Sequence, residues 1–215
     1  MTTNLEVQYY IELQDRMYDL FRYVACHESN FGTFSIRIES VLVDTCSFFD
    51  SLCQHFIRDL ATTGHGFQNT ARVKEFSKKI RGEKDFVISD YQQLLDEDFR
   101  LSNKQVWVKA YQDDSFQIGT RDGYSISPFD DWKRGKPLSW WKAFTNLKHN
   151  RLSNIKDANL RHAVFSLGGV FIVLSQKHEE AFKEGHVDRE VYSLYEPRYW
   201  QRSGSVMNIV TPMWK

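Results

Sequence analysis

The sequence predicts an all-α protein, an up-and-down helical bundle of four to five helices with a small β-hairpin insertion. Three observations carry that expectation. Long apolar stripes recur at three- and four-residue steps, the period of an amphipathic helix. Only 4 prolines and 11 glycines occur in 215 residues, too few for a loop-rich β protein. Hydrophobic residues make up 41% and aromatics 15%, enough to fill a core and to argue against general disorder.

The first 28 residues read as a helix, with Val7, Tyr10, Ile11, Tyr18, Phe21 and Ala25 at helical spacing and Thr3 or Asn4 as its cap. Asn30 and Gly32 break the pattern. The clearest helix runs from about Ser35 to Ala61. Its stripe is Ile38, Val41, Leu42, Thr45, Phe48, Phe49, Leu52, Phe56 and Leu60, with Thr33 or Ser35 as cap and Gly64 and Gly66 as its end. About seven turns is a bundle length. Residues 69–80 read as a basic helix with a solvated face (Arg72, Lys74, Lys78, Lys79), and Ser89 as the cap of a short one.

The period changes after Arg100. Gln105 to Tyr111 alternates, Asp113-Asp114 offers a turn before Ser115–Ile118, and Asp122-Gly123 offers another. A hairpin over about 104–118, lying outside the helical core, is predicted. Helical spacing returns at Ser139, after Pro137, through Trp140, Trp141, Phe144 and Leu147. A linker near Leu152-Ser153-Asn154 leads to Asp157, read as the cap of a last strong helix reaching about Phe182. Gly168-Gly169 inside it costs about 1 kcal/mol per glycine in propensity, which a close crossing would explain. The stripes at 35–61 and 157–182, one bulky and one small, are predicted to pack antiparallel. Residues 186–200 add a short helix. One domain spans 1–200, with an insertion at about 64–136 and a tail at 201–215.

Composition excludes several classes. Lys plus Arg and Asp plus Glu are both 28, so the chain is neutral and any nucleic-acid contact is local. Cys26, Cys46 and Cys53 are odd in number, form no CxxC pair and read as buried thiols in a reducing, cytoplasmic setting. The first ten residues, MTTNLEVQYY, hold no apolar run of a signal peptide. The longest apolar stretch, Ala163 to Leu174, is too short to span a bilayer, so no membrane contact is expected. No Walker, dinucleotide-binding, nucleophile-elbow or metal-ligand pattern occurs, so no nucleotide or other cofactor and no metal is expected. His162, on the apolar stripe of the last helix, reads as a core histidine.

One segment carries chemistry. From Lys133 to His162 there are eight cations and one acid, Asp157, a local charge of 8 − 1 = +7. Asn146 and His149 lie one turn apart, with Lys142 a turn earlier and Lys148 and Arg151 beside them. Such a cluster can hold a phosphodiester and offer histidine as acid or base. The candidate catalytic residues are therefore His149, Arg151 and Asn146. The candidate binding residues are Lys142, Lys148, Arg151 and Trp141. Of the adjacent tryptophans, one anchors the core and the other a groove or interface.

The long helix SIRIESVLVDTCSFFDSLCQHF, then WWKAFTNLKHNR, then DANLRHAVFSLGGVFIVLS together resemble the HEPN superfamily. More narrowly they are similar to uncharacterised bacterial proteins with a WW-aromatic-N-x-x-K-H-x-R segment and an A-N-L helix. The resemblance covers roughly residues 33–62 and 137–176. It implies a helical bundle, often dimeric. Many members are metal-independent ribonucleases, and others are inactive binding modules. Active members carry Arg, then a polar residue, then His four to six residues after the Arg. Here Lys142 stands seven residues before His149, and Arg151 follows the histidine. Lysine lacks the planar fork of arginine. A module binding a partner protein or nucleic acid through the basic patch is therefore placed ahead of an endoribonuclease using His149. The aromatic content, six tryptophans included, points to a homodimer.

Overall fold

The computed structural model describes residues 5–63, 74–112 and 124–199. The described chain is mostly helical and carries one three-stranded antiparallel sheet. The longer helices are α1 (Leu5–Phe21), α2 (Ile36–Thr63), α3 (Ser139–His149) and α4 (Leu160–Lys177), followed by a short α5 (Glu179–Glu184). Single helical turns at Ser77–Ile80, Ile88–Tyr91 and Asp130–Lys133 lie between α2 and α3. The run from Ile88 continues through a π-helical turn, Gln92–Asp96.

Helix α1 buries Val7, Tyr10, Leu13, Gln14, Met17 and Leu20 and ends at Phe21, short of the predicted 28. The residues that follow form a separate 3-10 turn, Glu28–Asn30, where the His27 imidazole accepts the Ser29 N–H and so competes with helix continuation. Helix α2 starts where Ser35 Oγ accepts the Ile38 N–H at 3.1 Å. Its buried face is the predicted stripe, with Phe48 and Leu60 half-buried at its edge. The glycines expected to end it, and the caps Thr3 and Asn4, lie outside the described residues.

Helix α4 is buried on every side from Ser166 to Gln176, the signature of a central helix. Asn159, not Asp157, is its cap: Oδ1 accepts the His162 N–H at 3.0 Å. The helix stops at Lys177, and α5 carries the chain past Phe182.

Among the described residues helices α2 and α4 make the most extensive contact, but they run parallel, not antiparallel as expected. Their N-terminal ends are joined by a Phe34–Asn159 bridge, with Leu160 N–H donating to Thr33 O at 2.9 Å. Their C-terminal ends meet at the Lys177–Asp59 ion pair, 2.9 Å. The physical reason is α3. It returns antiparallel between them, so α4 repeats the direction of α2. Helix α1 is antiparallel to both, with Glu6 reaching Lys177 and Arg16 reaching Asp44 at 2.8 Å.

The strands are β1 (Val106–Val108), β2 (Ser125–Ile126) and β3 (Tyr195–Pro197), in the order β2-β1-β3. This corrects the hairpin at 104–118. Strand β1 pairs Val106 with Ile126 on one side and Val108 with Tyr195 on the other. The expected partner at 115–118, and the turns at 113–114 and 122–123, lie outside the described residues. Nor is the sheet outside the core. Val106, Val108, Ile126 and Tyr195 are buried, and the sheet lies against α4. The two glycines of α4 serve this contact. A Cβ on Gly168 would stand 2.9 Å from Ile126 Cδ1, and one on Gly169 would stand 3.3 Å from the Trp140 ring. The close approach is thus to the sheet and to Trp140, not to α2. Where a short helix was expected at 186–200, a 3-10 turn (Arg189–Tyr192) precedes β3.

Candidate functional site

Helix α3 is positioned from both ends. Its first N–H, from Ser139, donates to Asp131 Oδ2 at 3.0 Å. A carboxylate there also suits the positive end of the helix dipole. Trp140 is fully buried, and its indole N–H donates to Pro128 O at 2.9 Å. Trp141 is half-buried and packs its ring against Phe49 and Phe144 at 5.8 and 5.1 Å between centroids. The buried face is Trp140, Ala143, Phe144 and Leu147, which turns Lys142, Lys148 and His149 to solvent.

The connection from α3 to α4 is held by side-chain amides. Asn154 Nδ2 donates to Asn146 O at 2.9 Å, and Asn150 Oδ1 accepts the Ser153 N–H at 3.2 Å. Asn146 Nδ2 donates to Asp157 Oδ2 at 2.8 Å. The Asp157 carbonyl in turn receives His162 Nδ1 at 2.7 Å. A carbonyl only accepts, so Nδ1 carries the proton and Nε2 of the neutral ring is an acceptor. Burial pushes the His162 pKa below its ordinary value, which favours that neutral form.

Arg151 Nε stands 2.8 Å from Glu39 Oε1, an ion pair without the alignment of a hydrogen bond. Glu39 is only 4% exposed, whereas the arginine side chain is largely in water. Lys148 Nζ lies 5.1 Å above the Phe144 ring. Lys142 and His149 are exposed and make no hydrogen bond or ion pair among the described residues. The predicted residues therefore share one end of α3 and its connection but do not converge. Asn146 turns to Asp157, Arg151 turns to Glu39, and His149 faces solvent. Of the eight cations in the run, Lys133, Arg134 and Arg151 have carboxylate partners, and the charge of the patch is lower than the sequence count.

Sequence reasoning missed a cleft of about 430 Å³ nearby. It opens between the 125–128 segment, the Asp130–Lys133 turn and the first turns of α4, and His162 borders it. Arg134 is held by Asp130 at 3.0 Å and Asp131 at 2.9 Å, whereas Arg161 has no carboxylate partner among the described residues and lies 4.7 Å over the Phe165 ring. No local motif marks this site, because its walls are about thirty residues apart in the chain. The i,i+3 and i,i+4 spacing of Asp131 and Asp130 to Arg134 was the one available signal.

The cysteines are free and buried, and burial pushes the Cys26 thiol up to about 12, so none is a ready nucleophile. Among the described residues, no group of three or more His, Cys, Asp or Glu side chains is placed to hold a metal ion. No described helix is long and apolar enough to cross a membrane.

Fold and site together define a class no finer than a mostly helical protein with a small sheet and a basic, solvent-facing helix connection. No family model, curated protein or solved structure matches the chain.

Proposed function

We propose that the chain is a HEPN-like helical module, a bundle of four to five helices, that binds single-stranded RNA through the α3–α4 connection without cleaving it. One observation carries this reading. Lys142, Lys148, His149 and Lys156 are exposed along α3 and its connection, and His149 makes no hydrogen bond or ion pair among the described residues. Cations on a surface attract phosphates. Acid–base cleavage needs convergence as well, and Asn146 and Arg151 are engaged elsewhere. The unpaired thiols support a cytoplasmic setting.

Fluorescence anisotropy with a labelled single-stranded RNA, read over a salt series, tests the module. Lys148→Ala with Lys156→Ala should weaken binding and flatten the salt slope by about 0.7 per lost phosphate contact. An unchanged slope would remove the patch from function. The endoribonuclease reading rests on the exposed imidazole of His149 between Lys148 and Arg151. It requires RNA cleavage that His149→Ala abolishes without lowering the melting temperature.

The same reading includes a homodimer. Leu5 and Tyr9 on α1 are 68% and 55% exposed, and Tyr9 stacks on Phe48 of α2 at 5.2 Å, an apolar strip suited to a second copy. Light scattering should give about twice the 25.4 kDa chain mass, falling to the monomer value in Tyr9→Glu. A monomer mass for the unaltered chain at tens of micromolar would contradict it.

A further inference from the structure

The cleft beside His162 has features the RNA reading does not use. Its volume, about 430 Å³, falls within the range of small-molecule sites, about 300–1,000 Å³. Its wall combines three kinds of group. Phe165 and Pro128 offer an apolar face. Arg161 offers a guanidinium without a carboxylate partner among the described residues, and it lies 4.7 Å over the Phe165 ring. Hydroxyl acceptors complete the wall. The His162 Nδ1–H is committed to Asp157 O, which leaves Nε2 as the ring atom open to a ligand donor. Asp130 is bound by Arg134 through Oδ2 and keeps lone pairs on both oxygens, with its side chain 41% exposed.

These groups favour one ligand chemistry. A flat apolar wall suits the C–H face of a sugar ring. Acceptors on either side suit its hydroxyls. The second arginine of the cleft, Arg134, is balanced by Asp130 and Asp131, so Arg161 is the cation left for an acidic substituent. A neutral apolar ligand would leave Arg161 desolvated without compensation. A polyanion would meet the two carboxylates.

We propose that this cleft binds an acidic monosaccharide, its phosphate or carboxylate on Arg161, its ring against Phe165 and Pro128, and its hydroxyls donating to His162 Nε2 and Asp130. The bidentate fork of arginine serves either acid, so both belong to the same chemistry. Neither Lys148 nor Lys156 lines the cleft, and the proposal does not depend on the RNA reading.

Calorimetric titration of the full chain with glucose 6-phosphate, glucuronate and glucose tests this. Both acidic sugars, or one of them, should bind with millimolar or better affinity and at least about tenfold above glucose. The tighter of the two identifies the acid. Arg161→Gln, a change on an exposed side chain, should erase the preference for acid over glucose. His162→Asn keeps an N–H for the Asp157 carbonyl and deletes the Nε2 acceptor. It should weaken all three sugars by about tenfold while leaving their ratio unchanged. Lys148→Ala with Lys156→Ala should leave the titrations as they are, so failure here and failure of RNA binding are read separately. No heat from either acidic sugar in the millimolar range, or an acid preference that survives Arg161→Gln, would overturn the proposal.

Discussion

Arg151 shows how one residue can look functional in sequence and structural in space. Its fork stands next to a histidine in a basic run, yet it lies against Glu39, 112 positions earlier by 151 − 39. Glu39 sits in the first turn of α2, where the helix dipole favours a carboxylate, but burial at 4% exposure disfavours an unpaired charge. Removing Arg151 should therefore cost stability through Glu39. Arg151→Ala is expected to lower the unfolding free energy by about 1–3 kcal/mol, and in a Glu39→Gln background by less than about 0.5 kcal/mol. Urea denaturation of the double-mutant cycle measures the difference; equal costs in both backgrounds would mean the pair is not coupled. The spacing of Asn146 and His149 on one helix was legible from the sequence, and so was a helix ending near residue 149. The partners of Asn146 and Arg151 were not, because Asp157 and Glu39 arrive by loop closure and by packing of α3 on α2, neither of which leaves a local pattern.

At the scale of elements, periodicity found what is long and missed what is short. Helices α2 and α4 announce themselves over five to seven turns of apolar spacing. The strands are two or three residues long, too short for alternation, and β1 takes its partners from 125–126 and 195–197. The glycine pair was legible as a close approach, but its neighbour was not, since the sheet that meets it was expected elsewhere. That contact gives a test. Gly168→Ala gains up to about 1 kcal/mol of helix propensity and meets Ile126 Cδ1 at 2.9 Å, so the two effects nearly cancel. Gly168→Val adds branching that Ile126, Pro128 and Val106 cannot all avoid, and should cost about 1–3 kcal/mol. Thermal unfolding should place the alanine variant close to the parent and the valine variant well below it. A valine variant as stable as the parent would show that the sheet yields to α4.

Over the whole molecule, the direction of the helices was not legible in the sequence. Amphipathic stripes specify which faces are buried, not which way a neighbour runs. What registers the ends is a set of polar contacts. At one end the chain before α2 bridges to Asn159. At the other, Glu6 of α1 gathers His178 Nε2 at 2.8 Å, Lys177 Nζ at 2.5 Å and His55 Nδ1 at 3.2 Å, drawing α1, α2 and the end of α4 together. Burial alone would raise the Glu6 pKa. The hydrogen bonds from His178 and Lys177, the charge of Lys177 and the hydrogen bond from His55 outweigh it and hold the carboxyl at about 2, against 4.5 ordinarily. A carboxyl with a depressed folded-state pKa contributes stability that is complete above its unfolded-state value. That contribution is lost as pH falls through the folded-state value. For Glu6 the window therefore runs from about 4.5 down to about 2. At roughly 1.4 kcal/mol per unit the shift sets an upper bound of about 3 kcal/mol, and solvent screening of the half-buried carboxyl brings the contribution at neutral pH to about 1–2 kcal/mol. Glu6→Gln should lower the urea midpoint at pH 7, and its deficit should shrink steadily as pH falls through that window. A constant deficit across the window would mean that Glu6 acts by packing alone, and that the charge of this clasp does not register α1 against α2 and α4.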